Sequence, residues 1–160
     1  MTSSVSVTRS VALNRDAVVP LVRARLETLA EASEHGTVML FAGLPGGGQI
    51  AVPVRLRVTY ASPRASRFTL SIRALTSSEL YPRFRGVLEL TAAGTAATIV
   101  ALSGEYAVPF GLLGNALDAT AARHIAPHGL AGLIDRLVRD VSDDAARDAN
   151  LEYRAGRRSV

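Results

Sequence analysis

The chain has no cysteine, no tryptophan and no lysine among its 160 residues. The missing cysteine excludes a disulfide framework, a thiolate metal site and a cysteine nucleophile. The missing lysine means that all 18 basic residues are arginine, which drives the sequence pI to 10.3 and makes it a poor guide to charge. The net charge of +4 is the better measure, and it is modest. Long apolar runs are also absent. No segment approaches the ~18 unbroken apolar residues of a membrane span. The opening MTSSVSVTRS has no apolar h-region of a secretory signal. The expectation is a cytoplasmic protein with no integral membrane contact.

What is present is an apolar fraction of 48%, the composition of a globular protein able to bury a core without staples. One domain is expected over residues 1–148. Residues 149–160 lack periodicity and read as a disordered tail. Charge is unevenly placed. Between Arg55 and Arg85 there are seven arginines and one acid, Glu79; between Asp135 and Asp148 there are five acids and three arginines. A basic sheet and a mildly acidic helix follow from this.

Val5, Val7, Val11 and Leu13 alternate with polar residues and predict a strand over Ser4 to Leu13, with Arg9 breaking its apolar side. Asn14 or Asp16 offers an N-cap. Val18, Val22, Leu26 and Leu29 then recur at helical spacing. Pro20 falls in the first turn and His35-Gly36 ends the segment. It holds one helix or a short pair. Thr37 to Ala42 reads as a short strand and GLPGGG as a loop. Ile50, Val52, Val54, Leu56, Val58 and Tyr60 form one face of a long strand, with Pro53 marking an edge or a bulge. Phe68, Leu70, Ile72 and Ala74 repeat the alternation, as do Phe84, Gly86, Leu88 and Leu90. Thr98, Val100, Leu102, Tyr106 and Val108 do so in a last strand that is central or covered on both faces. Short links make these strands an antiparallel meander. Branched and aromatic residues share one face; Arg55, Arg57, Arg67, Arg73, Arg83 and Arg85 share the other. The final helix starts near Gly114 or Asn115. Its stripe is Leu130, Leu133, Ile134, Leu137, Val141 and Ala145, and Pro127 predicts a kink or break between Ala126 and Gly129.

This layout, with the segment LSGEYAVPFGLLGNALD, resembles the START-like (helix-grip, birch-pollen-allergen-like, SRPBCC) superfamily, nearest its bacterial polyketide cyclase/dehydrase-like members. Gly104, Tyr106, Pro109, Gly111, Gly114 and Leu117-Asp118 carry the local match, and Pro45 to Gly48 falls where plant members have a glycine-rich loop. The resemblance implies an α+β fold: a curved antiparallel sheet of six to seven strands wrapped around a long C-terminal helix, with an apolar cavity between them. A seventh strand would fall in Thr76 to Pro82 or in a long strand bent in two. Independently, the first half of the helix is rich in small residues (Ala116, Thr120, Ala121) and the second half in large ones. Small residues opposite a curved sheet leave volume for a ligand. The expected cavity lining is Tyr60, Phe68, Leu70, Ile72, Phe84, Leu88, Tyr106, Phe110, Leu113, Leu117 and His124.

The chemistry is less specific. His124 and His128 have the i, i+4 spacing of metal ligands, but Pro127 lies between them and no third ligand is obvious, so no metal or other cofactor is expected. His124 alone is either a cavity-facing polar group or a packed histidine. GLPGGG opens a strand and lacks the Lys-Ser or Lys-Thr of a phosphate loop; a hairpin or lid is the plainer reading. The hydroxyls of Tyr60 and Tyr106 either anchor a ligand or reach the rim. No Ser-His-Asp arrangement assembles, and no catalytic residue is assigned. Binding of a lipid, polyketide or isoprenoid-like molecule is the first reading. A cyclase-like enzyme, implied by the resemblance alone, is the second. The third is an interaction module in which Arg55, Arg57, Arg73 and Arg85 meet an acidic protein or RNA, although the absence of stacking aromatics disfavours RNA. DNA is not expected as a partner.

Overall fold

The computed structural model describes residues 2–44, 48–75, 83–107 and 116–157; the side chains of 42–44, 49, 50 and 116–126 lie outside that description. The element order is β1 (Thr2–Val11), α1 (Arg15–Glu34), β2 (Met39–Leu44), β3 (Gly48–Thr59), β4 (Arg67–Ala74), β5 (Arg83–Ala92), β6 (Thr98–Ala107) and α2 (Ala116–Arg157). The strands form one antiparallel sheet in the order β1-β6-β5-β4-β3-β2. This is the expected α+β helix-grip architecture, with six strands described; residues 76–82, where a seventh was considered, lie outside the description. β6 is central, between β1 and β5, and its outer residue Ile99 is partly exposed. Asn14 caps α1, its side chain accepting the Ala17 N–H at 2.8 Å. A single helix fills 15–34, so the alternative of a short pair is not adopted.

Pro53 marks the point where β3 changes neighbours. Residues 48–53 pair with β2, and residues 54–59 pair with β4. Beyond Pro53 the β2 side of β3 has no strand beside it, and buried backbone groups there need partners. Ser33, fully buried near the end of α1, supplies one. Its hydroxyl oxygen accepts the Leu56 N–H at 2.9 Å and lies 3.2 Å from the Leu56 carbonyl. The same hydroxyl lies 2.7 Å from the Ala30 carbonyl, to which it can donate. One helix-borne side chain thus stands where a ladder partner would be.

The long helix α2 packs chiefly on β2 and then on β1, the two edge strands. Leu130, Leu133, Ile134, Leu137 and Val141 are all buried beneath it. The expected break at Pro127 is absent: the helix is continuous from Ala116 to Arg157. A proline inside a helix costs about 3 kcal/mol. Burying five large aliphatic side chains at roughly 1.5–3 kcal/mol each outweighs it. The Pro127 turn is also wedged between the two edges. Pro127, His128 and Ala131 line a groove with Val5 to Arg9 of β1, while a Cβ on buried Gly129 would lie 3.7 Å from the Phe41 carbonyl oxygen of β2. The disordered tail expected over 149–160 is likewise helical as far as Arg157. Its side chains are exposed, and the Arg157 guanidinium lies 5.2 Å from the centre of the Tyr153 ring, a cation–π contact one turn apart.

Two ion pairs hold α2 in place. Arg9, which interrupted the apolar side of β1, meets Asp135. Arg25 of α1 meets Asp144 with Nε–Oδ2 2.7 Å and a second guanidinium nitrogen at 2.6 Å from Oδ1. Hydrogen bonds from these arginines hold both carboxyls below the ordinary aspartate range, against the opposing effect of desolvation. No helix among the described residues is long and apolar enough to cross a membrane.

Replacing Ser33 by Ala should cost about 1–3 kcal/mol of stability, read from urea unfolding, because the Leu56 backbone groups lose their partner. The ion pairs predict an acid effect of definite sign. A depressed folded pKa gives stability that is complete above the unfolded carboxyl value near ~4 and lost as pH falls through the lower folded value. Asp144→Asn should therefore lower the urea midpoint at pH 7 and flatten its decline below pH ~4; an unchanged acid limb would show that the pair contributes nothing.

Candidate ligand site on the concave face

The inward residues of the central strands form the floor of the site. Phe68, Leu70, Ile72, Phe84, Leu88 and Tyr106 are all at most 4% exposed and belong to one apolar cluster. The ladders bring them together: Phe68 faces Leu88, Ile72 faces Phe84, and Phe84 faces Tyr106. Alternation alone places these six, and the structure brings all of them to the same face.

One pair of glycines shapes this floor. Gly86 and Gly104 are directly opposite on β5 and β6. A Cβ on Gly86 would lie 2.4 Å from Phe84 Cζ and 2.4 Å from the Ser103 carbonyl oxygen; one on Gly104 would lie 2.8 Å from Phe84 Cε2 and 2.3 Å from the Arg85 carbonyl oxygen. The Phe84 ring therefore lies down along the sheet, over the two glycines, instead of standing up from it. Missing side chains also let adjacent strands bend and twist more tightly. A flat aromatic floor is the result. The alternation runs through Gly86, so its inward direction is legible; that it meets Gly104 under a phenyl ring depends on register.

This floor is covered, and its residues share one core cluster with side chains of both helices. Val18, Val22 and Leu26 of α1 are fully buried, and α1 packs on β3 and, more lightly, on β5. α2 comes closest to the backbones of β2 and β1, and more lightly to that of β6.

The polar candidates separate. Tyr106 stays in the apolar cluster, 4% exposed. Tyr60 does not face a ligand space with a free hydroxyl: it donates a hydrogen bond to the Glu27 carboxylate on α1, and its ring stands edge-on to Phe68 with centroids 5.7 Å apart. Its position one residue past the end of β3 puts the hydroxyl within reach of the helix. That bond to Glu27, followed by desolvation, pushes its pKa up, so the phenol stays neutral and braces α1 against the sheet. Leu117 and His124 lie on α2, but their side chains are outside the description, as are Phe110 and Leu113 altogether. His128 is exposed and lies in the groove between α2 and β1. Among the described residues no three His, Asp or Glu side chains group as metal ligands do.

Comparison with solved structures identifies the architecture. The chain matches norcoclaurine synthase from Thalictrum flavum, solved in complex with dopamine and hydroxybenzaldehyde, at a TM-score of 0.56 and 14% identity over 89% of this chain and 88% of that one. It matches the Zhui aromatase/cyclase from Streptomyces sp. R1128 at 0.54 and 13% identity, covering 93% and 96%. It matches Ara h 8.0201 at 0.55 and 9% identity, covering 92% and 99%. No family model matches the sequence, and no curated protein does. The chain therefore shares the helix-grip fold of these structures, a likeness carried by structure and not by sequence identity.

Gly104→Ala should destabilise the protein by about 1–3 kcal/mol in thermal or urea unfolding, because the added methyl collides with backbone as well as with Phe84. Gly94→Ala, at a turn with open space but positive φ, should cost less, about 1 kcal/mol. Equal losses would show that the glycine pair has no packing role.

Proposed function

We propose that the protein binds a hydrophobic small molecule between the concave face of its sheet and the first half of α2. One observation carries the reading: the inward faces of β4, β5 and β6 form a continuous apolar floor, while α2 packs chiefly on the edge strands β2 and β1. That floor is flattened by Phe84 over Gly86 and Gly104. The α2 sequence from Ala116 to Ala122 is dominated by alanine, which fills little volume. Apolar space of this kind is stabilised when a ligand of matching shape occupies it. The described lining offers little acid–base chemistry, so affinity would come from area buried, with Tyr106 as the one described polar anchor. A lipid, polyketide or isoprenoid-like molecule fits these terms. A cyclase-like reaction in the same space is the weaker reading, since Tyr60 is engaged by Glu27 and leaves Tyr106 as the described candidate proton donor.

Organic extraction of the purified protein followed by mass spectrometry should release a hydrophobic compound in near-stoichiometric amount. An anilinonaphthalene sulfonate probe should bind the emptied protein saturably, and Ile72→Trp, which fills the floor, should weaken that binding at least about tenfold while unfolding stays cooperative. Native protein that binds no apolar probe and yields no extractable compound would end the proposal. Tyr106→Phe separates binding from catalysis: it should leave probe affinity within about threefold.

A further inference from the structure

The opposite face of the same sheet carries a second site. β3, β4 and β5 project alternate residues outward, and the registers set six of them side by side. Arg57 is opposite Ser71, and Ser71 is opposite Arg85. One step along the strands, Arg55 is opposite Arg73, and Arg83 occupies the next position on β5, following the Ile72–Phe84 pair. Two rows therefore lie about 7 Å apart on strands spaced about 4.8 Å. They enclose a groove of about 150 Å³ lined by Arg55, Arg57, Ser71, Arg73, Arg83 and Arg85, with Ile72 and Phe84, whose side chains point inward, between them.

Like charges directly opposite on a sheet are destabilising. None of these five guanidiniums has an ion-pair partner among the described residues; the ion pairs there involve Arg9, Arg15, Arg23, Arg25 and Arg147. One acid stands at the margin: Glu105 on β6 is opposite Arg85. The second sign of an unmet requirement is Arg55. Its Nε is buried and has no hydrogen-bond partner among the described residues. A buried donor left unpaired costs free energy, and an anion in the groove would supply the acceptor.

We infer that this groove is a binding site for a compact oligophosphate, recognised through its phosphoryl oxygens. Guanidinium groups grip phosphate in a planar, bidentate way. A terminal phosphoryl group brings roughly 1.5–2 negative charges and a bridging one about one, so a triphosphate comes close to balancing five arginines. Carboxylates of a protein partner would need several acidic side chains crowded into a small groove. A nucleic-acid strand would need a longer track and stacking aromatics. The patch is closed rather than linear and its lining has no outward aromatic side chain, so the phosphates themselves are what it reads. The site lies on the solvent side of the sheet, away from the apolar floor, and does not depend on what that floor binds.

Isothermal titration of inorganic triphosphate into the full chain, at about 150 mM salt, tests this. The expected result is saturable one-to-one binding, with orthophosphate at least about tenfold weaker and each of Arg55→Met and Arg73→Met weakening triphosphate at least about tenfold. Arg139→Gln, a surface charge on α2, should change it less than about twofold. Because each site variant removes a like-charge contact, neither should lower the melting temperature of the free protein, which separates loss of binding from loss of fold. The proposal is overturned by the absence of saturable binding. It is equally overturned if Arg139→Gln weakens binding as much as the site variants do, or if an RNA oligonucleotide or a polyglutamate peptide binds the groove more tightly than triphosphate.

Discussion

The packing of one amphipathic helix across both free edges of a curled sheet is the constraint on which the other features depend. A six-stranded antiparallel sheet of this length presents two edges, β1 and β2, each with unpaired backbone groups. The aliphatic stripe from Leu130 to Val141 covers the interior between them. The Arg9–Asp135 and Arg25–Asp144 pairs then fix its position against β1 and α1. Partly exposed pairs of this kind contribute modestly to stability. Their larger effect is to select one rotation and register of a long helix on an otherwise greasy contact.

The two sides of the sheet obey different physics. Inside, Phe84 lies over Gly86 and Gly104, exchanging the usual upright packing of a phenyl ring for a flat surface. The energetic cost of missing side chains in the middle of two strands is offset by ring contact and by tighter curvature. Outside, alternation forces the arginines of β3, β4 and β5 into one group with little acidic relief. A surface that needed only solubility would intersperse the two signs. Both faces thus depart from the most stable arrangement.

Alternation and helical periodicity carry most of the fold. The six strands, α1 with its Asn14 cap, the buried stripe of α2 and the inward set from Phe68 to Tyr106 are all readable from spacing, because a side chain's face is dictated by local backbone geometry. Pro53 signals the change of neighbour in β3 because it lacks a backbone donor. Other features required distant parts of the chain to meet. The Pro127 turn stays helical because burial of the aliphatic stripe that follows it outweighs the lost hydrogen bond. Residues 149–157 extend the helix where composition suggests a frayed tail. Tyr60 shares the inward phase of its strand, yet its hydroxyl belongs to Glu27, since only the placement of α1 brings that carboxylate near.

By itself, the amino-acid sequence determined which residues share a face, because period two and period 3.6 are properties of the local backbone. It determined that one sheet face would be apolar and the other arginine-rich, and that α2 would have a small-residue half and a large-residue half. Register decided the rest. Only the pairing of β5 with β6 places Gly86 against Gly104, and only the pairing of β3 with β4 sets Arg55 against Arg73. Only the docking of α1 beside β3 brings Ser33 to Leu56. These are contacts between residues far apart in the chain, and no local periodicity encodes them; the packing of the whole sheet against its two helices does.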